Sequence, residues 1–247
     1  RTGIEVKPSE CREIFRTAGA TIDEARNRVF IPRSMVDDAL ASARNEVLLC
    51  GRHPEHDMTL GGTRVYMGTG GAAVKIFEPE TRQIRESKLQ DVASIARLVD
   101  ALQNIHFYLR PCVGRDIPTE HLDLNTYYAA MSNTTKHVTG NCFSVESLRE
   151  TIEMASMIAG GRDALRERPI MSTTACWAIS PLRYAPETVE VLTELVRQEI
   201  PVFLSSAPQS GATSPAALAG SLVQINAEEL SGLVYTQLVK PGAPVVL

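Results

Sequence analysis

The spacing of hydrophobic positions predicts short helices and strands in the first third of the chain. Helices are expected over residues 9–18 and 35–40, and strands over residues 28–31, 46–50, 63–67 and 73–77. Glycine and proline separate these segments, as they do in turns. We therefore predict a small mixed α/β region over residues 1–86.

A more regular alternation follows residue 87. Apolar positions share one face of a helix that Ser87 and Gln90 are expected to open as a capping box. Strand-like runs begin near residues 106, 137, 170, 202 and 244, and the first four lie 31 to 33 residues apart. Helices are predicted between them, over residues 144–159, 186–198 and 214–239. This spacing is about that of one strand-helix-strand unit.

Strands that alternate with helices imply a parallel sheet, either open and doubly wound or closed into a barrel. Gly68, Gly70 and Gly71 precede a predicted strand, whereas a dinucleotide fingerprint requires such glycines directly after the first strand. Polar residues instead follow several strands, as on the active face of a barrel. We predict a (β/α)₈ TIM barrel, incomplete in this chain, over residues 87–247. The chain opens on Arg1 and closes on an apolar strand-like run, so we expect a longer protein.

Composition narrows the classes of partner. The chain has 247 residues, 44% of them hydrophobic, and a net charge of -4 from 25 basic and 29 acidic side chains. This balance gives no basic footprint for nucleic acid or an anionic membrane, and no apolar run approaches the ~18 residues of a transmembrane helix. The five cysteines form no C-x-x-C pair, which indicates reduced thiols and a cytoplasmic location.

Two groups of reactive side chains give no predicted site. Residues 53–57, HPEHD, hold ligand types for zinc or iron, but Pro54 and the spacing favour a solvated turn. Cys142 and Cys176 lie near strand ends, and a packing role is favoured for both because no neighbouring base is evident.

Strand ends supply the candidate binding residues. Trp177, the single tryptophan, offers a cation–π surface for an alkylammonium group, although a lone tryptophan also serves simple packing. Asn141, Thr174 and Gln209 are polar groups at strand ends. Ser214 is expected to cap a helix whose free N–H groups bind a substrate carboxylate, and the alternative is an ordinary strand-to-helix turn.

Four segments resemble the trimethylamine methyltransferase family, which includes members that act on quaternary amines such as glycine betaine. They are IPRSMVDDALASA, LGGTRVYMGTGGAAVKIFEPETR, NTTKHVTGN and GATSPAALAGSLVQINAEELSGLVYTQLVKPGAPVVL. The resemblance implies a (β/α)₈ barrel that moves an N-methyl group to the Co(I) of a corrinoid (cobalamin). A separate corrinoid protein carries that group, so no cofactor is expected to bind this chain directly.

The resemblance also implies which kinds of methylated amine are possible substrates. A quaternary ammonium leaves as a neutral tertiary amine and needs no proton donor, whereas trimethylamine is thought to be activated by a pyrrolysine whose position falls after Leu247. We predict the quaternary-amine branch, because its members are the more widespread. The alternatives are a barrel lyase or aldolase and a non-catalytic betaine-binding barrel. A homo-oligomer is expected from the general frequency of such assemblies.

Overall fold

A computed structural model describes residues 2–247. Its α-helices, α1 to α8 in chain order, are Ser9–Thr17, Arg33–Ser42, Leu89–Ala101, Leu122–Met131, Val145–Ala159, Arg162–Glu167, Pro186–Arg197 and Leu218–Val239. Its strands, β1 to β14, are Ile4–Glu5, Thr21–Asp23, Arg28–Phe30, Val47–Leu49, Met58–Leu60, Lys75–Glu78, Gln83–Glu86, Phe107–Leu109, His137–Gly140, Met171–Ala175, Ala178–Ile179, Arg183–Tyr184, Val202–Leu204 and Val245–Val246. Within residues 2–247, no helix is both long and apolar enough to span a bilayer.

Contacts between residues divide the chain into two compact units. The central unit is Asn45–Thr173, and the terminal unit combines the segment up to Arg44 with Thr174–Leu247. Strand β10 therefore contributes residues to both units. The predicted division at residue 87 follows a different criterion, the start of the regular repeat, and stays a prediction.

The central unit contains the parallel strands β8, β9 and β10 in that spatial order. Leu109 and Ser172 both pair with Thr139, which fixes the register of the three strands. Tyr127 of α4 covers one face of this sheet, and its hydroxyl donates to the carbonyl of Ser172 at 2.7 Å. The predicted parallel α/β arrangement is confirmed here, and the complete barrel stays a prediction.

The other face of this sheet carries a buried polar network. The Nδ1–H of His137 donates to the carbonyl of Cys50 at 3.0 Å, because a carbonyl only accepts. Its Nε2 lies 2.8 Å from the hydroxyl of Ser172, which also contacts the Thr139 hydroxyl. Burial lowers the pKa of His137 to about 4, so the imidazole is neutral at pH 7.

Two sequence predictions in the central unit are wrong. Residues 63–67 form no strand, because β4 pairs instead with β5 and leaves that segment without a ladder partner. Ser87 does not cap α3. Its buried hydroxyl donates to the carbonyl of Val113 at 2.6 Å, and the Asp91 carboxylate accepts the N–H of Lys88 at 2.8 Å at the helix start.

The terminal unit contains two sets of strands. β13 and β14 pair in parallel, and the N–H of Ser205 after β13 donates to the carbonyl of Ala175 at 3.1 Å. A second sheet has the order β11-β12-β1-β3-β2 and joins the first thirty residues to the hairpin formed by β11 and β12. The side chains of Phe15 of α1, Tyr184 of β12 and Tyr235 of α8 meet in the core.

Helix α8 begins later than the sequence predicts. It starts at Leu218 after Ala217, with no side-chain cap. The prediction that Ser214 caps this helix is wrong, because the Ser214 hydroxyl lies 2.8 Å from the hydroxyl of Ser221. The intervening residues form a turn in which the N–H of Gly211 donates to the carbonyl of Ser214 at 2.9 Å.

Candidate functional site

A buried arginine follows strand β8 in the central unit. Arg110 is 6% exposed, and its Nε and Nη1 atoms have no hydrogen-bond partner within residues 2–247. Its guanidinium carbon lies 5.7 Å from the ring centroid of Phe143, in the loop after β9. The ring gives a weak cation–π contact, which does not replace the hydrogen bonds missing at Nε and Nη1 of a desolvated charge.

A buried carboxylate lies on the first turn of α4, against the same loop. Asp123 is 2% exposed, and its Oδ2 accepts the N–H of Phe143 at 2.8 Å and the hydroxyl of Ser147 at 2.5 Å. Its Oδ1 has no partner in the described part of the chain. Arg110 and Asp123 thus both contact Phe143, yet within the described residues neither uses the other as its hydrogen-bond partner.

Two hydroxyl groups complete this set. Tyr108 lies in β8 and precedes Arg110 by two residues, so the alternation of an extended chain directs both side chains to the same side of the sheet. The hydroxyls of Tyr108 and Thr126 are buried and have no partner among the residues described. Burial raises the pKa of Tyr108 above its usual range. We call Tyr108, Arg110, Asp123 and Thr126 the Arg110 cluster.

The Arg110 cluster offers complementary chemistry to a small ligand. Arg110 supplies N–H donors and positive charge for an anionic group, and Asp123 supplies a free carboxylate oxygen for a cation or donor. Buried polar atoms in native proteins are almost always hydrogen-bonded, so a concentration of unpartnered ones calls for a ligand or ordered water.

Asn141 and Cys142 lie in the same loop, directly after β9. Asn141 is half-buried, and its predicted contact with substrate stays a prediction. Burial raises the pKa of the Cys142 thiol well above its usual range, with Asp123 adding to the effect. This thiol is protonated at neutral pH, which supports the packing role predicted for it.

The predicted residue Trp177 is fully buried in the terminal unit. Its ring meets Tyr184 edge to face, with the centroids 4.7 Å apart and the planes at 80°. Its Nε1 has no hydrogen-bond partner within the described chain. The side chain is thus a core element, and its additional role as a cation–π wall stays a prediction.

Two adjacent glutamates of α8 lie at the end of β13. The carboxylate of Glu228 accepts the Ser180 hydroxyl at 2.8 Å, the N–H of Leu182 at 3.0 Å, the Gln224 amide at 3.1 Å and the Ser206 hydroxyl. Glu229 accepts the N–H of Ser206 at 2.7 Å through Oε1. Its Oε2 is unpartnered in the described chain, and burial, followed by the charge of Glu228, raises its pKa.

The remaining predicted residues surround these strand ends. Thr174 is half-buried in β10, and Gln209 is exposed in the loop after β13. The carbonyl of Gln209 accepts the N–H groups of Ala212, Thr213 and Ser214, which shapes the loop. The contacts of Thr174, Gln209 and Ser214 with substrate stay predictions.

The sequence model of the family described as trimethylamine methyltransferase (MTTB) matches residues 1–247. The chain belongs to the trimethylamine methyltransferase family. Within residues 2–247 of this family member, no group of three or more His, Cys, Asp or Glu side chains is arranged to hold a metal ion.

The chain is also similar to individual curated proteins. The chain is 38% identical over 245 residues to trimethylamine methyltransferase MttB of Desulfitobacterium hafniense (strain DSM 10664 / DCB-2), covering 99% of this chain and 49% of the relative. It is 30% identical over 245 residues to glycine betaine methyltransferase of Desulfitobacterium hafniense (strain Y51), covering 99% and 50%. Trimethylamine methyltransferase MttB of Methanosarcina barkeri (strain Fusaro / DSM 804) is 33% identical over 252 residues, covering 98% and 50%. The chain spans about half the length of these relatives.

Sequence reasoning missed the buried charges of this trimethylamine methyltransferase family member. Arg110 and Asp123 were not predicted, nor were Glu228 and Glu229. One signal was available for Arg110, which interrupts the otherwise apolar run FYLRPCV. No local pattern marks Asp123, because its environment comes from α4, α5 and the loop after β9 together.

Proposed function

We propose that the protein is an N-methyltransferase that moves a methyl group from a methylated amine to the Co(I) of a corrinoid carried by a partner protein. Family membership supports the reaction class, and relatives named for trimethylamine and glycine betaine support the substrate class. The corrinoid acceptor follows from the resemblance described above.

The unpartnered Oδ1 of Asp123 is the observation that carries the proposal. A methylated ammonium has no N–H to donate when it is quaternary, so it is recognised by negative charge and by aromatic rings. Asp123 supplies a buried carboxylate oxygen, and its other oxygen accepts the backbone N–H of Phe143, whose ring lies against Arg110. Phe143 follows the carboxyl end of β9, and Asp123 contacts this loop from the first turn of α4. Binding sites of parallel sheets are found at such strand ends.

The chemistry of a quaternary substrate balances without a proton. The N–CH₃ bond breaks and leaves its electron pair on nitrogen, which departs as a neutral tertiary amine. The electron pair of Co(I), supplied by the partner, forms the new bond to the methyl carbon. The chain's task is to orient the amine and exclude water, and we propose Trp177, Asn141, Thr174, Gln209 and Ser214 as further contacts.

A lyase or aldolase is the less favoured reading. Schiff-base chemistry needs a lysine amine that is free to attack. The Nζ of Lys136 donates to the carbonyls of Val99, Leu102 and Ile105 at 2.7, 2.7 and 2.6 Å. Lys240 pairs with Glu199 at 2.8 Å. Both amines are therefore held by acceptors of the protein, which does not suit a Schiff-base lysine.

The cellular setting is also part of the proposal. All five cysteines are free of disulfides, and Cys11, Cys50, Cys112 and Cys142 are buried. Free thiols suit a reducing compartment, so we propose a cytoplasmic enzyme. Assembly into a homo-oligomer remains an expectation.

An anaerobic spectroscopic assay tests the function. The full-length protein is mixed with a Co(I) corrinoid protein and glycine betaine, trimethylamine or no amine, and the absorption of methyl-Co(III) is followed. We expect a signal with a quaternary amine. A signal with trimethylamine alone would contradict the quaternary branch, and none across a broad amine panel would overturn methyl transfer in favour of a lyase or binding protein.

A matched pair of variants connects this assay to the site. Asp123→Asn keeps the shape and removes the charge, and we expect at least about tenfold slower transfer at subsaturating amine. Asp163→Asn changes a side chain that is 93% exposed and should leave the rate unchanged. Equal rates for the two variants would exclude Asp123 from substrate recognition.

A further inference from the structure

The hairpin formed by β6 and β7 carries an exposed apolar pair. These strands form a two-stranded sheet of their own, in which Phe77 pairs with Ile84 and Lys75 pairs with Glu86. Directly opposed residues of an antiparallel pair project to the same side, and so do residues two apart on one strand. The four side chains therefore share one face of the hairpin, which we call the hairpin face. Phe77 is 60% exposed and Ile84 is 70% exposed.

We propose that the hairpin face binds the hairpin face of a second copy of this chain. The two copies are related by a two-fold axis parallel to the strands, which lies between the two faces. This axis places β6 of one copy over β7 of the other. Phe77 then packs on the partner's Ile84, and Lys75 lies beside the partner's Glu86. The inference goes beyond the proposed function and does not depend on it.

The opposite face of the hairpin is already held by ion pairs. Arg85 donates to Glu78 at 3.0 Å and to the two carboxylate oxygens of Asp91 at 2.7 and 2.8 Å. Asp91 lies in the first turn of α3, so this network ties the hairpin to that helix. The hairpin face thus belongs to an element that is fixed before association, which lowers the entropy lost on binding.

The exposed apolar pair itself calls for a cover. An isolated two-stranded hairpin is marginally stable in water, and packing of its apolar face against another surface stabilises it. In the single chain, Phe77 and Ile84 face solvent. A partner that buries both side chains would therefore stabilise the hairpin as well as the complex.

The charges of the hairpin face favour a second copy over other partners. Lys75 and Glu86 carry opposite charges on neighbouring strands, so the face has no net charge to attract a membrane or a nucleic acid. A two-fold copy brings each charge to the opposite one, which makes the face complementary to itself. The Nε of Arg115 lies 3.4 Å from Oε1 of Glu86, yet the Glu86 side chain stays 65% exposed and open to a partner.

The size of the hairpin face sets the expected strength of association. Four side chains per copy bury less than the roughly 800 Å² per partner of a standard interface. We therefore expect a reversible dimer with a dissociation constant of about 1–100 µM. Sedimentation velocity of the full-length protein at increasing concentration should show the mass rise towards that of two copies. A protein that stays monomeric above about 300 µM would overturn the inference.

Polar substitutions on the hairpin face test the apolar contact. The double variant Phe77→Ser, Ile84→Ser should weaken self-association at least about tenfold, because it removes the centre of the interface. Both positions are exposed in the single chain, so circular dichroism should show an unchanged fold. Val223→Ser, at an apolar side chain that is 71% exposed on α8, is the matched control and should associate as wild type. Equal association of the double variant and wild type would overturn the inference.

Charge reversals separate contacts between copies from contacts within one chain. Lys75→Glu places two glutamates on the hairpin face and Glu86→Lys places two lysines there, so each variant alone should associate at least about fivefold more weakly at low ionic strength. An equimolar mixture of the two variants should recover association, because each glutamate then meets a lysine of the other copy. The pair within each chain stays repulsive in the mixture, so it does not account for the recovery. A mixture that recovers no association would overturn the inference.

Adding the corrinoid protein tests a different occupant of the hairpin face. We expect wild type and the double variant to bind it equally, as sedimentation of the mixture would show. Loss of that binding in the double variant, in a protein that does not associate with itself, would overturn the inference in favour of the corrinoid protein.

Discussion

The indole ring of Trp177 lies directly against the backbone of Gly232. A Cβ atom at Gly232 would be 2.6 Å from both Cε2 and Cζ2 of the ring, well inside van der Waals contact. Trp177 is fully buried and Gly232 is within α8, so neither partner has room to move. This contact sets how closely α8 approaches the hairpin that follows β10.

Gly232→Ala should therefore destabilise the protein despite the higher helix propensity of alanine. We expect a loss of about 1–3 kcal/mol from overpacking, against a gain of at most about 1 kcal/mol from propensity. Denaturant unfolding followed by the single tryptophan's fluorescence measures the change. Asn226→Ala, at an exposed position of the same helix, is the control and should shift stability by less than about 0.5 kcal/mol.

Trp177 also carries the predicted cation–π role. If its ring contacts the substrate cation, Trp177→Ala should weaken glycine betaine by about 2 kcal/mol, or roughly 30-fold. Trp177→Phe retains an aromatic ring and much of the packing, so it should be more stable than Trp177→Ala and should bind glycine betaine more tightly. Affinity within about twofold of wild type in a folded Trp177→Ala variant would exclude the role.

The adjacent glutamates of α8 should respond in opposite ways to loss of charge. Glu228 accepts four hydrogen bonds, and Glu228→Gln would place an amide N–H against donors, at a cost of about 1–3 kcal/mol. Glu190→Gln, on the exposed side of α7, is the control. Thermal unfolding at pH 7 measures both.

Glu229→Gln should instead maintain or increase stability at pH 7. Burial raises the pKa of Glu229 in the folded protein, so the folded state binds more protons than the unfolded state above the ordinary glutamate pKa. The stability of the wild type therefore falls as the pH rises through that range, and the Gln variant escapes this loss. The melting temperature of Glu229→Gln minus that of wild type should be larger at pH 7 than at pH 4. A smaller difference at pH 7 would contradict this expectation.

Because His137 is buried as a neutral imidazole, we expect the folded protein to lose stability in acid. Its folded pKa is about 4, below the ordinary value of 6.5, so the unfolded chain takes up more protons between these values. Stability should be independent of this group above pH 6.5 and should fall by about 3 kcal/mol as the pH drops towards 4. Across this range, the denaturant midpoint of His137→Gln should depend less on pH than that of wild type. The midpoint of the exposed control His121→Gln should change with pH as the wild-type midpoint does.

Lys136 stabilises the carboxyl end of α3. Its Nζ donates to three carbonyls, and the residue is 5% exposed. Lys136→Met retains the apolar stem but leaves the three acceptors without this donor, and we expect a loss of about 2–4 kcal/mol. Lys75→Met, at an exposed position, should be near neutral, and comparable losses in the two variants would contradict the proposed contacts.

The local spacing of hydrophobic residues predicted those helices and strands that bury one face. Three helices, α1, α5 and α7, lie within two residues of their predicted positions. The five strands predicted after residue 87, which are β8, β9, β10, β13 and β14, also begin within two residues of their predicted starts. The exceptions depend on partners elsewhere in the chain. Residues 63–67 are rich enough in β-branched and aromatic residues for a strand, but β4 pairs with β5 instead, and propensity does not choose between partners.

The sequence alone determined the α/β class, the parallel orientation of the strands after residue 87 and the family, because periodicity and family motifs are properties of contiguous residues. Tertiary structure decided the pairing of β1 with β12 and the convergence of Arg110 and Asp123 on Phe143, since each joins elements that are distant along the chain. A polar side chain in a sequence shows no sign of being buried without a partner. That property appears only when neighbouring elements close around it and desolvate its charge.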